Sequence, residues 1–302
     1  MILREFGRSG IKLSPVTFGS MRLDPQKIEF DAAVELITYL YEHGVNTFHS
    51  SHEYETDTFF CRVLNEFRQQ HPHAEIKHIA KIGVPHFGEG NFKSDRLITL
   101  IENRLRDLNT ERLELVQWLV RHQPNEDRYR LPILKDCQQE LQATWSKLKQ
   151  QGKVGALTSF PYSFPFAEAV LEFTTCAGLV TYLNLLETEM TPLLKQMADR
   201  GQGYVAIRPL CGGLLTTNYA QNPDDAEAER IQKILTALNI SPAELTKLAI
   251  QFPLLHSVVT SIMVSVSSIE HAREVVEAVE DLKGSNIDTF NKILKAIASD
   301  NN

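Results

Sequence analysis

The sequence predicts an α/β protein, a single closed (β/α)8 TIM barrel with an N-terminal β-hairpin and a C-terminal helical tail. Eight short apolar runs alternate with amphipathic helical stretches from end to end. The runs are apolar on both faces, as strands of a parallel sheet covered by helices must be. No Pro-, Ser- or Gly-rich linker and no shift in composition divides the 302 residues, so 1–302 reads as one domain. The competing doubly wound sheet needs a glycine-rich phosphate turn after its first strand, and Phe18-Gly19-Ser20-Met21-Arg22 is not one.

The chain opens with a hairpin, Ile2–Phe6 and Ile11–Leu13, around the turn Gly7-Arg8-Ser9-Gly10. The first barrel strand is Val16–Gly19. The helix Phe30–Glu42 carries Ala33, Leu36, Ile37, Leu40 and Tyr41 at helical spacing and stops at Gly44. Val45–Phe48 and a helix over Thr58–Gln69 form the second unit, Lys77–Ile82 and Ser94–Arg106 the third. Leu113–Val120 is followed by a helix over Ile133–Gln150. Val154–Thr158 precedes a helix over Phe166–Phe173, and Leu179–Leu183 precedes one over Pro192–Asp199. Tyr204–Arg208 leads to helical stretches Asp224–Leu238 and Pro242–Gln251, the second with Ser241 and Glu244 at capping-box spacing. Val258–Val264, a helix over Ser268–Leu282 and a tail helix over Ile287–Ala298 complete the chain.

The net charge of −7 and the pI near 5.8 give no reason to expect nucleic acid or an anionic membrane surface as a partner. No apolar run reaches the roughly 18 residues of a membrane helix, and charges interrupt the N-terminus where a secretory peptide is apolar. A soluble, cytoplasmic protein is expected. Cys61, Cys137, Cys176 and Cys211 are far apart and form no CxxC pair, so they read as free thiols. No metal site is expected: His49, His52 and Glu53 are spaced too loosely for a ligand set.

In a barrel, chemistry sits at the C-terminal ends of the strands. There Gly44-Val45-Asn46-Thr47-Phe48-His49-Ser50-Ser51-His52-Glu53-Tyr54 runs a buried strand into a loop carrying a tyrosine. Lys81 ends the third strand in Ile79-Ala80-Lys81-Ile82-Gly83, where an unpaired ammonium would be costly. The hairpin, these two segments and the loop Ile207-Arg208-Pro209-Leu210-Cys211-Gly212-Gly213-Leu214-Leu215 resemble the aldo-keto reductases from Leu3 to about Glu277. That resemblance implies NAD(P)H-dependent reduction of a carbonyl substrate by a Tyr, Lys, Asp, His tetrad. Tyr54 falls at the Tyr and Lys81 at the Lys. His49 stands at the Asp, and Leu119 at the His. A neutral His49 cannot hold Lys81 protonated, so either Lys81 has a depressed pKa or His49 titrates near neutrality and shares the proton relay. His122, three residues past Leu119, is a substitute for the missing histidine if the strand end bulges.

Phe160-Pro161 stands where the resemblance implies a Ser-Asn pair for the nicotinamide, and a frame shift would offer Ser159. For the phosphates it implies Arg208, Leu210, Gly212 and Gly213 after strand seven, with Ser265, Ser267, Ser268, His271 and Glu274 after strand eight. Glycines let backbone amides approach a pyrophosphate, and a helix N-terminus favours phosphate. Two functions stay open. One is a weak or altered NADP-dependent oxidoreductase. The other is a pseudoenzyme, a barrel that binds a nucleotide or a protein partner in a regulatory role.

Overall fold

The computed structural model describes residues 1–221 and 227–284. Strands β1 (Arg4–Glu5) and β2 (Lys12–Leu13) form the antiparallel hairpin. Eight parallel strands then close a barrel in chain order: β3 (Val16–Gly19), β4 (Thr47–Ser50), β5 (Lys77–Gly83), β6 (Leu113–Leu119), β7 (Val154–Ser159), β8 (Cys176–Tyr182), β9 (Gly203–Ile207) and β10 (Val259–Val264). β10 returns to pair with β3, which closes the barrel sheet.

The expected fold is therefore present, and each of the eight apolar runs is a strand. The helices that cover them include α1 (Phe30–Glu42), α2 (Asp57–Gln70), α3 (Ser94–Asp107), α4 (Asp127–Asp136), α5 (Gln138–Gln150), α6 (Phe164–Leu171) and α7 (Thr191–Arg200). After β9 come α8 (Thr217–Gln221), α9 (Glu227–Leu238) and α10 (Pro242–Gln251), and α11 (Ile269–Glu280) follows β10. Ser241 and Glu244 make the capping box in full. The expected start of α9 at Asp224 and the tail helix over Ile287–Ala298 lie outside the described residues.

Two boundaries differ in an informative way. The second strand continues to Ser50 because its parallel register with β5 runs on through His49↔Ile79 and Ser50↔Ala80. His49 is thus a strand residue. The helix expected over Ile133–Gln150 is two helices, and α4 begins six residues earlier at Asp127. Buried Arg130 anchors that extra turn by donating to the Pro161 carbonyl at 2.7 Å and pairing with Asp127.

Strand alternation sorts the side chains into two cores. The larger one lies between barrel and helices and contains Trp118, which meets Phe92 edge-on with ring centroids 6.2 Å apart. The smaller one fills the barrel interior: Ile79, Leu115, Ala156, Val180, Val205 and Met263 meet Phe6, Ile11 and Leu13 of the hairpin, which plugs the bottom. The lower interior is therefore packed, largely by apolar side chains with the buried Thr17–Ser261 pair among them, and the C-terminal end opens onto a cavity.

Candidate active site

Above that apolar layer the inward positions become polar. Gly19, His49, Lys81 and Gln117 line a cavity of about 380 Å³ at the C-terminal mouth of the barrel. Tyr54 reaches it from the β4–α2 loop, and Leu119, Phe160, Tyr162 and Tyr182 form an apolar wall. On the opposite rim stand Arg208, Leu210, Gly212, Gly213 and Ser265.

The loop carrying Tyr54 is anchored at both ends. Buried Arg104 of α3 donates to Ser50 at 2.8 Å and to Asp57 at 2.6 Å, which ties the end of β4 to the start of α2. Thr56 Oγ1 donates to the Ser20 carbonyl at 3.0 Å. Inside the loop, the backbone N–H of Glu53 donates to Ser51 Oγ and that of Tyr54 to the Ser51 carbonyl.

The result is a tyrosine with a lysine on its face: Lys81 Nζ lies 5.0 Å from the Tyr54 ring centroid, a cation–π distance. Burial first, and the charge of Glu53 second, push the phenol well above its ordinary pKa. Tyr54 is fully protonated across the neutral range.

His49 does not titrate near neutrality, and in this respect the expectation of a shared proton relay is corrected. The ring is 3% exposed. Desolvation holds its pKa down to about 4, aided by the charges of Lys81 and Arg104, and the bond to Gln117 only partly offsets them. Its Nε2 lies 2.9 Å from Gln117 Oε1. The Gln117 amide nitrogen donates to the Val180 carbonyl at 2.7 Å. A carbonyl only accepts, so the Gln117 oxygen must face His49, and His49 must carry its proton on Nε2.

Lys81 finds its counter-charge elsewhere. Glu53 Oε2 lies 3.0 Å from Lys81 Nζ, and the two side chains are 16% and 18% exposed, so water screens the pair only weakly. Arg121 grips the same carboxylate with both terminal nitrogens, Nη1 to Oε1 at 2.6 Å and Nη2 to Oε2 at 2.9 Å. Its Nε donates to Tyr162 Oη at 2.9 Å, and its guanidinium covers the Phe87 ring at 5.2 Å. Burial would raise the Glu53 pKa, but the bonds to Arg121 and the charge of Lys81 outweigh it and hold the carboxyl at about 2. Burial lowers the Lys81 pKa, and Glu53 opposes this.

The expected use of His122 is also corrected. Leu119 faces the cavity, so alternation turns Arg121 inward and His122 away. His122 stacks on Tyr129 with ring centroids 4.6 Å apart, outside the cavity. Ser159 is not recovered by a frame shift either. It is the register partner of Trp118 on the helix side of the barrel, while Phe160 faces the cavity. Histidines 49 and 52 diverge, one buried and one exposed, and among the described residues no cluster of His, Cys, Asp and Glu is placed to hold a metal ion.

The glycine-rich rim is built for close approach. Gly212 has φ of +72° and Gly213 +113°, conformations that side chains disfavour, and a Cβ on Gly213 would point into open space. Arg208 spans from this rim to Glu187 at 3.0 Å and covers the Tyr182 ring at 5.1 Å. Ser265 lines the cavity, whereas Ser267, Ser268, His271 and Glu274 do not. Ser268 caps α11 by accepting from the His271 backbone N–H at 3.3 Å, and His271 and Glu274 are exposed on the first turns of that helix.

A closed parallel barrel that opens at its C-terminal end onto a half-buried tyrosine–lysine pair has the form of a barrel enzyme. The chain matches the Aldo/keto reductase family over residues 15–295 and belongs to that family of oxidoreductases. It is 26% identical over 299 residues to L-galactose dehydrogenase from Arabidopsis thaliana, an alignment covering 95% of this chain and 90% of the relative. Aldo-keto reductase AKR11C1 from Bacillus halodurans has the same fold: its holo form superposes with a TM-score of 0.74 at 19% identity, covering 98% of this chain and 96% of that one. The apo form gives 0.73 at 18% identity, with the same coverage.

Proposed function

We propose that this protein reduces a carbonyl compound with a nicotinamide dinucleotide, with Tyr54 as the proton donor. The observation that carries the reading is the placement of Tyr54 beside Lys81 at the mouth of the barrel, in a chain of the aldo/keto reductase family.

The cavity fits such a cofactor best at its phosphate end. Gly212 and Gly213 present backbone without side chains, and Arg208 and Ser265 add a cation and a hydroxyl. Ser267, Ser268 and the exposed start of α11 with His271, Arg273 and Glu274 extend this polar rim, where a 2′-phosphate of NADP would favour cationic company. The nicotinamide end offers the rings of Phe160 and Tyr182, and the Gln117 amide there is committed to Val180 and His49. Stacking replaces amide hydrogen bonds in this reading.

When bound, the dinucleotide supplies a hydride. The chain's own part is to hold a carbonyl oxygen near Tyr54, deliver the phenolic proton to it and stabilise the phenolate left behind with the Lys81 ammonium. The apolar wall of Leu119, Phe160, Tyr162 and Tyr182 excludes water. Leu119 has no donor for the carbonyl, so the rate is expected to be low. Loss of one such donor costs on the order of 10²-fold. The Arabidopsis relative is named for a sugar, and a small aldose or its oxidised form belongs in the first substrate panel alongside aromatic aldehydes.

The test is titration of the protein with NADPH, and separately NADH, followed by nicotinamide fluorescence, and then a carbonyl panel. Saturable binding and turnover that Tyr54→Phe abolishes are expected. Absence of binding by both nucleotides would overturn the reading.

A further inference from the structure

We infer that Glu53 is a positioning residue of this site: a carboxylate from the β4–α2 loop, clamped by Arg121, that supplies the negative charge holding Lys81 beside Tyr54. The inference rests on the reductase reading for the use of Lys81, but its physical basis is independent of it.

A lysine side chain that is 18% exposed needs a partner, because an uncompensated buried ammonium is costly. The neighbouring strand provides none. His49, the inward residue of β4 beside Lys81, is neutral and spends its proton on Gln117. Among the described contacts of Lys81, Glu53 is the carboxylate, at 3.0 Å.

The carboxylate is held rather than merely near. A guanidinium and a carboxylate matched through two parallel bonds fix each other's plane. Arg121 is itself fixed by Tyr162 from the β7–α6 loop and by Phe87 from the β5–α3 loop. The backbone of Glu53 is tied to Ser51 within a loop whose ends Arg104 anchors. A solvent-facing glutamate would need none of this.

The charges around the pair bear on Tyr54 as well. Glu53 faces Lys81 and Arg121, with His86 at 3.4 Å from Oε1 and His52 beside it on the loop. Lys81 faces Glu53, Arg121, the neutral His49 and Tyr54. One anion is thus shared by two cations, Lys81 and Arg121. The cluster keeps one surplus positive charge next to the phenol, where a phenolate forms when Tyr54 gives up its proton. Removing Glu53 would leave two cations in mutual repulsion, and Lys81 is the one able to lose its charge.

The decisive experiment labels the lysines by reductive ¹³C-methylation, which retains their charge, and titrates the dimethyl-Lys81 signal by NMR, with Lys81→Arg for assignment. In folded Glu53→Gln the Lys81 pKa is expected to fall by at least one unit, and in Glu53→Asp by less. An unchanged Lys81 pKa in Glu53→Gln would overturn the inference. Should that variant not fold, an unchanged Lys81 pKa in Glu53→Asp does the same. With a turned-over substrate, the alkaline limb of kcat/KM should move down with Lys81 in Glu53→Gln. A limb that stays while Lys81 shifts refutes the positioning role. If the unaltered protein reduces no carbonyl, the reductase reading fails, and the NMR titration still decides whether Glu53 sets the charge of Lys81.

Discussion

Replacing His49 by aspartate would place on β4 the acid that the family resemblance implies, and we predict that the change harms the protein. His49 donates from Nε2 to Gln117 Oε1 at 2.9 Å, and Gln117 cannot turn its amide because its nitrogen is held by the Val180 carbonyl at 2.7 Å. A carboxylate at position 49 would face that fixed acceptor. The variant loses one hydrogen bond, worth about 1 kcal/mol, and leaves a buried acceptor unsatisfied at a cost of about 1–3 kcal/mol. Lys81 offsets little of this, since it is already paired with Glu53 at 3.0 Å. The net expectation is destabilisation by about 2–4 kcal/mol, or roughly 3–6 °C in Tm for a chain of this size. Thermal unfolding followed by circular dichroism reads it directly. The double variant His49→Asp/Glu53→Gln moves the carboxylate instead of adding one, so a compensating coupling of about 1 kcal/mol or more is expected between the two sites. A His49→Asp protein as stable as the original, with no coupling to Glu53, would refute the charge arrangement described here.

Tyr54→Phe should lower carbonyl reduction by roughly 10²- to 10⁴-fold while leaving NADPH affinity within about twofold. Equal loss of binding would assign the ring a packing role instead. Gly212→Val forces a β-branched residue to φ of +72° and puts its Cβ 3.2 Å from Arg208 Nη2. NADPH Kd should rise about tenfold or more, equivalent to roughly 1.4 kcal/mol, by fluorescence titration. An unchanged Kd would move the phosphates away from this rim. Stability should fall with pH. His49 and His78 have folded pKa values depressed to about 4 and about 3, chiefly by burial. The unfolded chain takes up these protons below about 6.5, so their contribution is intact above that pH and is lost as pH falls towards 4. At pH 5 each costs about 2 kcal/mol relative to pH 7. Urea unfolding at the two pH values measures it, and equal stability would contradict the buried neutral state of both rings.

The barrel was legible because strands covered on both faces must be apolar throughout, and eight such runs leave few alternatives. Tyr54 was singled out by the family resemblance, and Lys81 by that resemblance and by the cost of an unpaired ammonium at an apolar strand end; the fold brings both to the cavity. His122 misled because the run His122-Gln123-Pro124-Asn125 looks like a family motif. The period-two rule sends Arg121 inward there, and the rule prevails over the motif. Glu53 was not legible as a site residue. It sits in a polar loop, and its partner Arg121 is 68 residues away, brought near through the pairing of β4, β5 and β6. The available signal was Arg121 itself. An arginine two residues beyond an inward-facing Leu119 must enter the mouth of the barrel, and a buried guanidinium demands an acid.

The requirement at Lys81 is a negative charge within a few ångströms, and nothing in the physics demands that it come from a strand. Moving it to a loop changes what the charge is coupled to. A strand carboxylate is fixed by the sheet alone. Glu53 is fixed by Arg121, and Arg121 is fixed by Tyr162 and Phe87, two of the large apolar side chains that remain exposed at 39% and 45%. Tyr162 lines the cavity as well. A ligand that presses on the Tyr162 ring therefore acts on the Arg121 clamp, and through it on the carboxylate that sets the charge of Lys81. On the proposed reading, the shape of the cavity mouth and the electrostatics of Tyr54 are linked through one guanidinium, so substitutions at the rim are expected to alter the pH dependence of turnover as well as the choice of substrate.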